Sequence, residues 1–174
     1  MFGRGSDFML LKSKKTAYLG VLLGLNQIFI ILSSVLETNT MILMMAAALL
    51  VGVSIVEFGT KSGIAFYAAS CVLGVFLTFN KVEIITYILF FGLYSIIKHF
   101  IESRIENKAI KYSIKIISFN ILLIVVYFAT KMFISIRISW WMILIAEALF
   151  ILYDYAFTMF INYYIDLIRP KLKL

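Results

Sequence analysis

Long apolar runs separated by short polar segments make up this chain, and the longest polar segment decides how those runs are arranged. It is Lys98 to Lys115 (KHFIESRIENKAIKYSIK), where Lys98, Arg104, Lys108, Lys111 and Lys115 outnumber Glu102 and Glu106. With apolar sequence on both sides, it reads as a loop held in water between membrane spans, and its positive excess places it in the cytoplasm. Composition agrees with that environment. The 174 residues are 63% hydrophobic and 14% charged, whereas a soluble domain is nearer half apolar and about a quarter charged. The expectation is an all-α integral membrane protein of six transmembrane helices, with residues 1–174 forming one polytopic membrane domain and no separate soluble domain.

Taken in order, the spans fall at about 16–36, 40–56, 63–79, 84–101, 116–133 and 140–164. The first is too long for the apolar core of a secretory signal and reads as a retained helix. The second (MILMMAAALLVGV) is rich in methionine and alanine, helical by propensity and thin enough to pack closely. The fourth is the weakest. Its uncharged stretch, Ile84 to Ile97, covers only about 21 Å at helical rise, so it crosses a core of about 30 Å only if it continues to Ile101 with Lys98 and His99 snorkelling to the interface. Trp140 and Trp141 open the sixth span and Tyr163 and Tyr164 close it, as amphipathic aromatics do at interfaces.

Orientation follows from the cations. With the N-terminus inside, 13 of the 16 Lys and Arg residues fall on the cytoplasmic side, leaving Lys81, Lys131 and Arg137 outside. Both termini are therefore expected in the cytoplasm. The net charge of +7 lies at helix ends, a pattern that points to topology and to contact with anionic lipids rather than to nucleic acid. Cys71 is the single cysteine and reads as a small packed hydrophobe. A Cys–His catalytic pair with His99 is not expected, because the two fall at different depths. There is no phosphate-gripping glycine loop, no HExxH, no Cys/His cluster at metal spacing and no serine nucleophile motif, so neither enzymatic activity nor a metal or cofactor is expected.

Ionisable residues within the spans carry most of the information, since they are expensive to bury unpaired. The sixth span has Glu147 and Asp154, seven apart and so on one face, with Asp154 near the mid-plane. If the last hairpin turns near Ser139, Lys131 lies at the depth of Glu147 and the two are expected to form an ion pair. With Arg137, Asn80, Lys81 and Glu37, that pair lines an outward-facing pocket or, alternatively, only locks the hairpin. In the first span, Asn26 and Gln27 need partners. Gly20 and Gly24 form a small-xxx-small face, suited either to a helix of the same chain or to a partner.

Six short helices with cytoplasmic ends, small residues Ala17, Gly20 and Gly24 on the first helix and polar groups near the outer face resemble the substrate-binding (S) components of energy-coupling-factor transporters. The resemblance implies a multi-pass protein of the plasma (inner) membrane that captures a small polar solute from outside. It implies docking through Ala17, Gly20 and Gly24 onto a transmembrane coupling subunit served by two ATPase subunits. It also implies a substrate site in the region of Lys131, Arg137 and Glu147, with Asn80 and Asp154 as further candidates. The outer loop after helix one departs from that family: Glu37-Thr38-Asn39-Thr40 stands where many members carry proline and glycine. The small multi-span proteins of the cell-wall elongation apparatus are similar in size and hydropathy, and they give the alternative of a non-catalytic membrane scaffold.

Overall fold

The computed structural model describes residues 3–133 and 139–172, and these are helical almost throughout. We number the helices α1 (Gly3–Val35), α2 (Thr40–Phe58), α3 (Thr60–Leu77), α4 (Lys81–Arg104), α5 (Lys108–Lys131) and α6 (Trp140–Lys171). All six include a stretch long and apolar enough to cross a membrane, that of α1 being Ser13–Val35. This is the architecture of a multi-pass helical membrane protein. One end of the bundle carries the start of α1, the α2–α3 and α4–α5 turns and the end of α6. We call it the basic end, because most of the described cations lie there.

The turns are shorter than the sequence implies, and their chemistry explains why. Gly59, at φ +81°, joins α2 to α3 by itself, since glycine adopts this left-handed region without a Cβ penalty. Asn80 caps α4 by accepting from the backbone N–H groups of Val82 and Glu83. Asn107 does the same for α5 through Ala109 and Ile110, so orphan amides at both helix starts are satisfied. Only Ile105 to Asn107 separate α4 from α5. The expected 18-residue aqueous loop is therefore two helix ends around a tight turn. Likewise α4, at 24 residues, extends about 36 Å and has the length that the fourth span lacked on sequence grounds.

The second helix is the axis of the packing. Ala47, Ala48, Val51 and Ser54 of α2 are fully buried, and its small side chains let neighbours approach closely. A Cβ on Gly52 would stand 2.8 Å from the Phe157 ring of α6, and one on Gly63 of α3 would stand 2.1 Å from an Ile55 side-chain carbon of α2. A Cβ on Gly74 of α3 would meet Ile84 of α4 at 2.4 Å. By contrast, nothing lies within 4 Å of a Cβ placed on Gly20 or Gly24 of α1. Ala17 beside them is exposed, and Val21 is 71% exposed. Among the described residues, no helix packs against that face.

A π-helical turn at Tyr87–Gly92 interrupts the α-helical ladder of α4. Tyr67 of α3 lies against Gly92 and donates from its hydroxyl to the Ile88 carbonyl at 2.6 Å. A side chain thus takes up one of the carbonyls displaced where the ladder widens. The aromatic core lies beyond this turn, where Phe91, Tyr94 and Tyr153 meet the stacked pair Phe119 and Phe150, whose centroids are 4.2 Å apart. Outward apolar residues such as Ile121 and Phe128 of α5 and Leu144 and Leu152 of α6 stay exposed, as lipid-facing positions do.

Candidate functional site

Asp154 needs a cationic partner inside this bundle, and the helix faces supply two. From α4, Lys98 donates to Asp154 Oδ1, to the Asp154 carbonyl (3.1 Å) and to Thr158 Oγ1 (2.8 Å). From α5, Lys115 donates to both carboxylate oxygens at 3.0 and 2.8 Å. Tyr94, one turn before Lys98 on α4, adds its hydroxyl to Asp154 Oδ1 at 2.7 Å. Glu102, one turn after Lys98, closes the figure through a single oxygen, Oε1, at 3.0 Å from Lys98 and 2.7 Å from Lys115. Lys98, Asp154, Lys115 and Glu102 therefore form a closed ring of alternating charge that sums to zero.

Burial makes that balance important. The side chains of Lys98, Lys115 and Asp154 are 3%, 5% and 8% exposed, whereas that of Glu102 is 34% exposed. In a low-dielectric interior, attraction offsets desolvation only where geometry is good and every donor is satisfied. The ring meets both conditions and ties α4, α5 and α6 together near the basic end. The Phe157 ring, 5.4 Å from Lys98 Nζ, adds a cation–π contact. Beside the ring, a cavity of about 40 Å³ is lined by Gly52, Ser95, Lys98, His99, Glu102 and Phe157, among others. The volume suits one or a few waters, or a group the size of a carboxylate.

A second polar cluster, without formal charge, joins α1 to α2, α3 and α4. Asn26 donates to the Ala47 carbonyl (2.8 Å) and to the Tyr87 hydroxyl (3.0 Å), and it accepts from Ser70. Gln27 donates to the Ser70 carbonyl at 3.1 Å. These are the partners that Asn26 and Gln27 require in the first span. One acceptor, Gln27 Oε1, has no hydrogen bond among the described residues.

The residues singled out from the sequence do not all meet. Glu147 is half-buried and accepts from Asn120 of α5 at 2.8 Å, while Lys131 lies over the Tyr127 ring at 5.9 Å. Their expected ion pair is not formed, and the hairpin register gives the reason. Lys115 faces Asp154, Phe119 faces Phe150 and Asn120 faces Glu147, so the register of α5 against α6 differs by about ten residues from one centred on Ser139. Lys131 then lies roughly three turns beyond the residue that matches Glu147 in depth. Asn80 is engaged in capping α4 and donates to Glu83 Oε1 at 2.7 Å. Lys81 donates to the Val75 carbonyl at 3.2 Å. Arg137 lies outside the described residues. Asp154 is the one candidate of this group that enters a multi-residue cluster, at the basic end rather than among the outer-loop residues.

The sequence reads Lys98, Lys115 and Glu102 as loop residues, with Lys98 snorkelling outward, whereas the structure turns both lysines inward and holds Glu102 against them at the bundle edge. Their signal in the sequence is the Lys98–Glu102 spacing of one helical turn, together with the demand that Asp154 makes for a counter-charge. Among the described residues, no group of three or more His, Cys, Asp and Glu side chains stands close enough to share a metal ion. Comparison with protein-family models, with curated proteins and with solved structures gives no match.

Proposed function

We propose that this chain is the membrane-embedded substrate-capture subunit of an ATP-driven importer, working with a separate transmembrane coupling subunit and two ATPases. The observation that carries this reading is the bare face of α1. Gly52, Gly63, Gly74 and Gly92 each stand where a neighbouring side chain comes within 3 Å of a Cβ position, yet nothing lies within 4 Å of one at Gly20 or Gly24. In lipid, small-residue faces promote helix association by letting backbones come together, so a helix of another subunit is the natural occupant. On this reading the basic end faces the cytoplasm by the positive-inside rule. The solute, a small polar molecule, enters from the opposite end toward Glu147 and Asn120, with Lys131 and Asn80 near the mouth.

A second reading has specific support. The cavity beside Lys98 is far smaller than the roughly 300 Å³ or more typical of small-molecule sites, and it lies at the basic end. A scaffold that uses α1 to hold another membrane protein would show the same bare face without needing a solute site. One purification separates the two. Tagged protein extracted from native membranes in mild detergent should bring down a transmembrane coupling subunit and two ATPases in stoichiometric amounts. Gly20→Leu with Gly24→Leu should abolish that recovery at unchanged membrane abundance. Recovery of wall-synthesis proteins with no ATPase would establish the scaffold instead, and recovery that is indifferent to the leucines would remove α1 as the docking helix.

A further inference from the structure

The two carboxylates of the ion ring are held very differently. Asp154 uses both oxygens, accepts from Lys98, Lys115 and Tyr94, and is almost entirely buried. Among the described residues Glu102 uses one oxygen, accepts from the two lysines alone, and is a third exposed at the edge of the bundle. Lys98 does not depend on it for its donors: without Glu102 it still has Asp154 Oδ1, the Asp154 carbonyl and Thr158 Oγ1, which match its three N–H groups. Lys115 keeps both oxygens of Asp154 but loses the acceptor of its third N–H. Glu102 thus supplies one acceptor and one charge: with it the ring is neutral, and without it two buried cations face one buried anion.

We infer that the Lys98–Lys115 pair is an anion-binding site and that Glu102 is its built-in, displaceable occupant. Glu102 Oε1 marks where one oxygen of a ligand sits, bridging the two ammonium groups at 2.7 to 3.0 Å. The adjoining cavity of about 40 Å³ reaches Lys98, Glu102, Ser95 and His99, which is room for the remainder of a carboxylate or for part of a phosphate. The ligand class is thus a carboxylate or phosphate group presented at the basic end, either on a free solute or on a lipid headgroup. Swinging Glu102 outward needs rotation of one side chain at the end of α4, with Asp154 left in place. This site is separate from any outer solute site and does not depend on the importer reading.

The test uses the full chain in phosphatidylcholine nanodiscs, with thermal unfolding followed as phosphate or acetate replaces chloride at constant ionic strength. In Glu102→Gln, the unfolding midpoint should rise saturably by a few degrees. The wild type should respond only at concentrations about tenfold higher or more, because its own carboxylate competes. Adding Lys115→Gln to Glu102→Gln should abolish the response. If phosphatidylglycerol in the disc raises the Glu102→Gln midpoint and free phosphate then adds nothing, the ligand is a lipid headgroup. If phosphatidylglycerol is inert and free phosphate or acetate acts, it is a solute. No saturable response to any of these anions in Glu102→Gln, or one that survives Lys115→Gln, would overturn the site. Should Glu102→Gln fail to fold, Glu102→Ala, which also lacks the competing carboxylate, carries the same titrations, and a flat response there is equally decisive against the site.

Discussion

Two polar clusters stand inside this bundle, and they are stabilised on different terms. The one around Asn26 consists of amides and hydroxyls and depends on the direction of each hydrogen bond. The ring around Asp154 consists of full charges and depends first on their sum. Loss of a neutral partner leaves an unsatisfied dipole. Loss of a charged one leaves a net charge in a medium that solvates it poorly. The comparison therefore predicts a graded set of outcomes in detergent or nanodiscs.

The largest effect belongs to Asp154→Asn, which keeps the shape but leaves two buried lysines facing Glu102 alone. It should destabilise by about 3–5 kcal/mol, the range for an uncompensated buried charge, as measured by reversible denaturant unfolding. Lys115→Gln in the same chain restores the charge balance through the remaining Lys98–Glu102 pair. The double variant should recover a substantial part of the loss, and strict additivity would show that the ring is not one unit. Next comes Asn26→Ala, which removes the side-chain donor to the Ala47 carbonyl and the Tyr87 hydroxyl and the acceptor of the Ser70 hydroxyl. About 1–3 kcal/mol is expected, with no rescue by any single charge change. The smallest contrast is between glycines. Gly74→Ala must push the Ile84 methyl aside and should cost about 1–3 kcal/mol, whereas Gly20→Ala should be neutral in the isolated chain. A destabilising Gly20→Ala would mean that the α1 face is covered after all.

Much of the architecture was legible because apolar run length and turn residues are local signals. Six helices long and apolar enough to cross a membrane stand where the sequence has six apolar runs, although α5 begins eight residues before the 116–133 run and α6 continues seven residues past the 140–164 run; the aromatic pair Trp140 and Trp141 opens α6. The site was far less legible, for a physical reason. Lys98 and Lys115 sit in a sequence context dense with charge, and proximity to Arg104, Lys108 and Lys111 makes a lysine look solvated. Whether it points outward or inward depends on a partner 56 or 39 residues away, which a local pattern does not encode. The hairpin register failed in a similar way. Centring the turn on Ser139 matches Lys131 to Glu147, and a register shift of about ten residues brings Asn120 there instead.

The spacing of the ring along the chain also bears on how the protein is made. Membrane helices are delivered in order from the N-terminus, so α4 and α5 are in place, with both lysines facing only Glu102, before α6 has been synthesised. Asp154 follows Lys98 by 56 residues and Lys115 by 39. A lone aspartate at the centre of an inserting helix costs on the order of 3 kcal/mol, and here the counter-charge is already waiting. The arrival of α6 thus completes a ring that α4 and α5 leave one anion short, so its insertion is drawn by charge as well as by apolar surface.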